Sequence, residues 1–211
     1  PECEDAQLVV SEFMVLANTA VASWAMEQGL SLLHRTQDVV VPKEYAGVWT
    51  APEDIHSVVK VLGASVLEAT AKPHATLGVG AYAPLSSPLR RYSDLINMAQ
   101  VLAHLTGHGQ VRSREELEAM LPGVVARLEA AGRIQRFRPR FWKLLYIKQQ
   151  GDEARWPAVV VEDSGHLVNL AMPREQLYVR GPRTLFGDKL FPGQHFSLRL
   201  GKIDPLRNEI Y

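Results

Sequence analysis

The hydrophobic pattern of roughly the first 150 residues is that of helices. Apolar side chains recur at helical spacing over residues 6–28 and stop at Gly29, which predicts one helix there. Because this helix is apolar around most of its circumference, we expect it to be buried, with Glu12 and Asn18 as its polar exceptions. The same spacing predicts further helices over residues 52–71, from Ser87 as N-cap to Gly107, over 113–122 and over 124–149.

From Gly151 onward the pattern changes to short runs in which apolar and polar residues alternate. Residues 158–162 and 166–171 flank Asp163-Ser164-Gly165, which predicts a hairpin, and residues 176–180 and 195–200 predict further strands. The turn at 204–208 leads into a last strand. Five short strands in so few residues favour a small barrel of the OB type. We therefore predict an α+β protein with a mainly helical domain over 1–150 and a small OB-fold β-barrel over 151–211.

The composition is that of a globular protein. The chain has 211 residues, of which 46% are hydrophobic and 22% charged, which excludes disordered, collagen-like and coiled-coil proteins. Its single cysteine excludes an internal disulfide framework and a multi-cysteine zinc site. No window approaches about 18 uninterrupted apolar residues, and the N-terminus is acidic, so we expect no membrane segment and a cytoplasmic location.

The formal net charge of zero hides a basic middle segment. Residues 1–87 hold 4 Lys/Arg against 10 Asp/Glu, residues 88–149 hold 11 against 5, and residues 150–211 hold 8 of each. Such a segment suits contact with a polyanion along one surface, and it also suits a solvated helix face. Its aromatic residues have core spacing, so we expect them to pack inward and the arginines between them to face outward; they are Phe137, Phe141 and Tyr146.

The most specific candidate chemistry lies at the predicted start of the helix after Ser87. A helix N-terminus offers unpaired backbone N–H groups and a partial positive charge, which together favour a phosphate. Arg90 and Arg91 in the first predicted turn strengthen that site, because a guanidinium binds phosphate through two parallel hydrogen bonds. The alternative is that Arg90 or Arg91 merely pairs with Asp94 on the helix surface.

Three segments resemble a known family in order and spacing. Ser87-Pro88-Leu89-Arg90-Arg91-Tyr92-Ser93-Asp94-Leu95 resembles a signature of the ribonuclease II and ribonuclease R family, whose catalytic domain is called RNB. Residues 8–18 resemble the family's long central helix, and residues 31–35 resemble the short arm after it. The resemblance implies that residues 1–150 are the C-terminal part of an RNB catalytic domain and 151–211 an OB-fold RNA-binding domain.

The resemblance also implies an activity and its residues. Family members are processive 3′ to 5′ exoribonucleases that hydrolyse single-stranded RNA to nucleoside 5′-monophosphates with magnesium. Arg90 matches the arginine that binds the scissile phosphate, and Glu12 matches a buried glutamate near the 3′-terminal nucleotide, so both are expected at the catalytic centre. The expected RNA-binding residues are Asn18, Tyr82, Ser87, Arg91 and Tyr92.

The metal site of the family has no counterpart in the sequence. The catalytic aspartates lie in a loop upstream of the helix that contains Glu12, and Glu2, Glu4 and Asp5 have the wrong spacing for it. Magnesium-dependent hydrolysis needs such carboxylates to hold the metal. We therefore expect the magnesium ligands outside this chain, an N-terminal part of the same protein as its partner, and no activity from the chain alone.

Two other functions are open at this stage. The first is an RNA-binding regulatory protein of the same fold that has lost hydrolysis, which is favoured by Asn97-Met98 standing where the family commonly has a His-Arg pair. An intact aspartate loop upstream would favour the enzyme instead. The second is a structural scaffold in which the arginine signature is incidental, and three matched segments in order argue against it.

Overall fold

The computed structural model describes residues 4–45, 47, 49–187 and 189–210. Its helices are α1 (Glu4–Glu27), α2 (Pro52–Leu62), α3 (Tyr92–Leu105) and α4 (Arg114–Gln149), with short 3-10 helices at Lys43–Tyr45, Ala75–Leu77 and Arg183–Leu185. Its strands are β1 (His34–Thr36), β2 (Val66–Glu68), β3 (Trp156–Asp163), β4 (Leu167–Met172), β5 (Leu177–Pro182), β6 (His195–Leu198), β7 (Ile203–Asp204) and β8 (Glu209–Ile210). The α+β prediction is confirmed.

The chain forms two compact units. The first contains Pro1–Pro42 and Leu62–Glu129, and the second contains Lys43–Val61 and Ala130–Tyr211. In the first unit β1 and β2 pair antiparallel. The core of that unit has two apolar clusters, one formed by Ala22, Ala25, Leu30, Leu32, Ala81 and Ala83, the other by Leu33, Ala69, Ile96, Leu117 and Val124.

Helix α1 is buried only in its second half. Every residue from Asp5 to Phe13 is exposed, including Glu12. The expectation that Glu12 lies buried is therefore wrong for this chain, because the apolar clusters of the first unit contact α1 only near Ala22 and Ala25. By length and composition Asp5–Glu27 would suffice for a membrane span, a test that core helices of soluble proteins also pass. The absence of a membrane segment stays a prediction.

Two predicted helix limits are wrong. The helix predicted over 52–71 ends at Leu62, since Gly63 adopts a left-handed φ of 65° and residues 66–68 form β2. The break predicted at Pro122-Gly123 is absent, because α4 runs unbroken through it. A proline inside a helix removes one backbone hydrogen bond. Burial of Leu117 and Val124, two turns apart on one face of α4, offsets that loss.

The sheet of the second unit has the antiparallel order β5-β4-β3-β6, and β7 and β8 form a separate hairpin. The predicted hairpin around Asp163 is thus confirmed. This arrangement is compatible with the predicted OB-type barrel, which stays a prediction together with the domain limits 1–150 and 151–211. The core of the unit is formed by Leu144, Ile147, Trp156, Ala158, Val160, Val168, Leu170, Met172, Leu177, Val179 and Phe186.

The aromatic residues of α4 do not form the expected core stripe. Phe137 and Tyr146 are 41% and 54% exposed, and Phe137 stacks on Phe141 at 6.5 Å between ring centroids. The α4 side chains that enter the core are the aliphatic ones of Leu144 and Ile147. Phe137 lies two turns before Leu144 on the same face of α4, but it is outside the buried cluster that contains Leu144 and Ile147.

The buried histidine of β1 makes the stability of the first unit depend on pH. His34 is 4% exposed, and this burial lowers the pKa of its imidazole to about 4. The unfolded chain, with a pKa near 6.5, binds more protons between these two values, so stability falls as the pH falls through that window. We expect the free energy of unfolding to be about 2 kcal/mol lower at pH 5 than at pH 7.5 from this group alone.

Thermal unfolding at both pH values, followed by circular dichroism, measures this effect. His34→Leu should reduce the difference by about 2 kcal/mol, while His74, a second buried histidine whose pKa is lowered by burial, keeps its own contribution. His108→Leu, which changes an exposed histidine, should leave the difference unchanged. An unchanged pH dependence in His34→Leu would contradict the assignment.

Candidate functional site

A segment without helix or strand, residues 83–87, leads into the arginine pair, and Asn18 holds one side of it. Asn18 is fully buried, and its Oδ1 accepts a hydrogen bond from the backbone N–H of Leu85 at 3.1 Å. Its Nδ2 donates to Tyr82 Oη at 2.8 Å and to Ser86 Oγ at 3.3 Å. The structure thus brings together Asn18 and Tyr82, two of the residues expected to bind RNA.

Asn97 of α3 holds the same segment from the other side. Its Nδ2 donates to the carbonyl oxygens of Pro84 and Leu33, both at 2.8 Å. Its Oδ1 accepts from the N–H of Leu33 at 2.8 Å. Asn97, which stands where the family commonly has a His-Arg pair, therefore joins α3 to residues 83–87 and to Leu33, the residue before β1.

Asp94 of α3 is the third residue that holds the segment. Its side chain is fully buried, and its Oδ2 accepts hydrogen bonds from the N–H of Ser87 at 2.9 Å and from Arg91 Nε and Nη2 at 3.0 and 2.7 Å. Its Oδ1 accepts from Ser93 Oγ at 3.2 Å. We call Asn18, Asp94 and Asn97 the polar clamp, because each supplies a buried side chain to backbone that lacks regular partners.

The predicted start of the helix is wrong by four residues. Helix α3 begins at Tyr92, and Arg91 precedes it in an extended conformation with φ −125° and ψ 116°. The N–H groups of Arg90 and Arg91 both donate to the carbonyl oxygen of Ser87, which makes a separate turn. The pair between Arg91 and Asp94 accompanies this break, so Ser87 is not the N-cap and Arg90 is not helical.

The two arginines differ in their surroundings. Arg91 forms the ion pair with Asp94, and its side chain is 31% exposed. Arg90 is exposed, and within the described part of the chain its Nη2 makes one long hydrogen bond of 3.4 Å, to Ser87 Oγ. Of the two arginines, Arg91 therefore forms the pair with Asp94 that the sequence left open. The guanidinium of Arg90 stays accessible to an anion. Exposed Tyr92 lies one residue beyond the pair.

Glu12 is not part of this hydrogen-bonded group. It lies on the exposed half of α1, six residues before Asn18, which corresponds to about 9 Å along the helix axis. The expected roles of Glu12 and Arg90 at the catalytic centre both stay predictions.

The described residues do not fit a magnesium site. Over 4–45, 47, 49–187 and 189–210 no group of three His, Cys, Asp or Glu side chains could hold a metal ion. Asp94, the carboxylate nearest to Arg90 in sequence, is fully buried, and both of its oxygens accept hydrogen bonds. That the magnesium ligands lie outside this chain stays a prediction.

The sequence interpretation missed the structural roles of Asp94 and Asn97. The signal for them is polar residues at positions 94, 97 and 100, which three-residue spacing places on one face of an otherwise apolar helix. Gln100 is the third, and its Nε2 donates to the carbonyl oxygens of Ser31 and Arg112. A polar stripe within a core helix indicates side chains that serve buried backbone.

The clamp predicts a large effect of one substitution. Asn18→Ala leaves the N–H of Leu85 and the hydroxyl of Tyr82 without this partner, at about 1–3 kcal/mol for each buried group. We expect a lower unfolding temperature and faster amide hydrogen exchange over residues 83–87. Ser86→Ala is the control. It removes two long contacts of the Ser86 hydroxyl, 3.3 Å to Asn18 Nδ2 and 3.4 Å to Arg91 Nη2, and should change both readouts little. Equal effects of the two variants would show that Asn18 does not hold the segment.

The chain is similar to ribonucleases along nearly all of its length. It is 29% identical over 209 residues to an uncharacterized ribonuclease of Synechocystis sp., covering 96% of this chain and 31% of that protein. It therefore spans about a third of the length of that relative. The fold matches the Dss1 exoribonuclease of Candida glabrata with a TM-score of 0.81, at 24% identity over 96% of this chain and 28% of that one.

Two further solved structures share the fold. Ribonuclease R of Mycoplasma genitalium in complex with ribose-methylated single-stranded RNA gives a TM-score of 0.72, at 15% identity over 97% of this chain and 41% of that one. Yeast Ssd1, described as a pseudonuclease, gives 0.64, at 14% identity over 82% of this chain and 26% of that one.

The match that shows the family covers most of the first unit. The family model of the RNB domain matches residues 1–107, which contain β1, β2 and the whole polar clamp. This range is half of the chain, and it ends just beyond α3. The chain belongs to the RNB domain family.

Proposed function

We propose that this chain is the C-terminal part of a 3′ to 5′ exoribonuclease that hydrolyses single-stranded RNA processively to nucleoside 5′-monophosphates. The observation that carries the proposal is the exposed guanidinium of Arg90, next to a buried polar clamp, inside the RNB match. Magnesium is the proposed cofactor, with its ligands in an N-terminal part of the protein, so the chain alone is proposed to be inactive. The proposed domain limits are 1–150 and 151–211.

Arg90 is the proposed phosphate ligand of the reaction. A guanidinium forms two parallel hydrogen bonds to a phosphate, and it stabilises the negative charge that develops there during hydrolysis. Glu12 is proposed to accept a hydrogen bond from a ribose hydroxyl of the 3′-terminal nucleotide. Ser87, Arg91 and Tyr92 are proposed to line the path of the RNA, and Asn18 and Tyr82 to position it.

The exposed half of α1 supports a further part of the protein as partner. Leu8, Phe13 and Leu16 are 59%, 67% and 63% exposed. A contiguous apolar surface of this kind indicates an interaction site. We propose that the N-terminal part of the same protein covers it and brings its metal ligands to Glu12 and Arg90.

A basic surface in the second unit supports RNA as the substrate. Tyr178 on edge strand β5 is 49% exposed and lines three grooves. Their volumes are about 360 Å³ beside Arg136 and Lys143, about 390 Å³ beside Arg140, and about 270 Å³ beside Arg180. Arg140 Nη1 donates to the Tyr178 carbonyl oxygen at 3.2 Å. An aromatic ring among cations suits single-stranded RNA, since bases stack on the ring and phosphates pair with the charges.

The first test is a time course of 5′-labelled single-stranded RNA with magnesium and the full-length protein that contains this chain. We expect a ladder that shortens to a small end product and stops with EDTA or Arg90→Ala. Arg90→Lys keeps the charge but loses the planar fork, so we expect kcat to fall by about 10²–10³ with little change in RNA affinity.

The control is Arg127→Lys, the same change at an exposed arginine of α4, which should leave kcat unchanged. Equal loss of binding and cleavage in Arg90→Lys would contradict a role in the transition state. RNA that is bound but never cut would instead favour the RNA-binding regulatory protein.

The second test concerns Tyr178. Because stacking of one base contributes about 1–3 kcal/mol, we expect Tyr178→Ala to weaken the affinity for single-stranded RNA by roughly 5- to 100-fold in fluorescence anisotropy. Phe191→Ala changes a ring that is 60% exposed outside these grooves and serves as the control. Equal affinities of the two variants would exclude Tyr178 as a stacking platform.

A further inference from the structure

The contacts of Asp94 enclose Arg90 on both sides. Its Oδ2 takes the N–H of Ser87, three residues before Arg90, and two guanidinium N–H groups of Arg91, the next residue. The turn between them is closed by the N–H groups of Arg90 and Arg91 on the Ser87 carbonyl oxygen, at 3.2 and 3.0 Å. One buried carboxylate therefore fixes both ends of a short turn in which Leu89 and Arg90 are exposed, and Arg90 is the charged one of the two.

The charge of Asp94 explains why Arg91 is paired and partly buried while the adjacent Arg90 is exposed. A fully buried carboxylate is costly unless it is paired and hydrogen-bonded. Arg91 supplies the pair through Nε and Nη2, and its Nη2 also donates to Ser86 Oγ at 3.4 Å. Arg91 is thereby held against the protein, and only Arg90 extends a guanidinium away from this pair.

Asp94 itself has no access to substrate. It is 0% exposed, and its oxygens accept hydrogen bonds from Ser87, Arg91 and Ser93. A direct role as base or metal ligand would require it to give up these partners. Its effect on a reaction must therefore pass through the turn that it holds.

We propose that Asp94 is a positioning residue, which acts through Ser87 and Arg91 to fix the direction from which Arg90 meets the scissile phosphate. This inference rests on the proposed ribonuclease function. Catalysis by a charged group depends on its placement, and a displacement of about 1 Å can cost about 10²-fold in rate.

The test combines Asp94→Asn with Arg90→Ala in the full-length protein. Asparagine keeps the size and one carbonyl acceptor but loses the charge that holds Arg91. We expect Asp94→Asn to lower kcat by about 10- to 100-fold while the RNA dissociation constant changes by less than about threefold. In the Arg90→Ala background Asp94→Asn should cause no further loss, because its effect passes through Arg90.

The matched control is Glu118→Gln. Glu118 accepts from Arg114 Nε at 2.9 Å in a half-exposed pair of the first unit, so the chemical change is the same without a buried turn. It should leave kcat and the unfolding temperature unchanged. If Asp94→Asn lowers kcat by the same factor with and without Arg90, its effect is general instability and the inference is overturned.

A readout independent of hydrolysis separates this inference from the proposed function. Amide hydrogen exchange over residues 87–91 should accelerate in Asp94→Asn and remain unchanged in Glu118→Gln. Unchanged exchange in Asp94→Asn overturns the positioning role even if RNA is cleaved. Absence of cleavage by the unmodified protein, together with accelerated exchange in the variant, would refute the proposed ribonuclease activity and leave the structural role of Asp94 supported.

Discussion

The first unit depends on how the backbone of residues 83–87 satisfies its polar groups. This segment is itself neither helix nor strand, although Ala83 and Pro84 are buried. Buried N–H and carbonyl groups need partners, and here side chains of α1 and α3 supply them. The polar clamp thus replaces secondary structure, and the position of the arginine turn follows from it.

Burial also explains how neighbouring residues of the same type acquire different roles. Arg91 neutralises a carboxylate that is removed from water, whereas Arg90 lies exposed beside it. Breaking the ion pair of Arg91 costs more than breaking a surface pair, because Asp94 is fully buried and would be left as an unpaired buried charge. Under the proposed function, a structural arginine and a phosphate-binding arginine are therefore encoded side by side.

The sequence predicts those elements that are determined by residues close together in the chain. The hairpin around Asp163 follows from alternating residues and a turn. Helix α4 begins close to the predicted position, with a capping box in which Ser113 N donates to Glu116 Oε2 at 2.7 Å. The start of α3 could not be predicted, because it depends on Asp94 pairing with Arg91 rather than on the Ser87-Pro88 sequence. The exposure of Glu12 depends on what packs against α1, which periodicity alone does not specify.

The most direct measurement is a crystal structure of the full-length protein with a non-hydrolysable single-stranded RNA. We expect the Arg90 guanidinium to contact a phosphate near the 3′ end, while Arg91 stays paired with Asp94 and residues 83–87 keep their hydrogen bonds to the polar clamp. An Arg91 that leaves Asp94 to bind the RNA, or an Arg90 turned away from the phosphates, would contradict it.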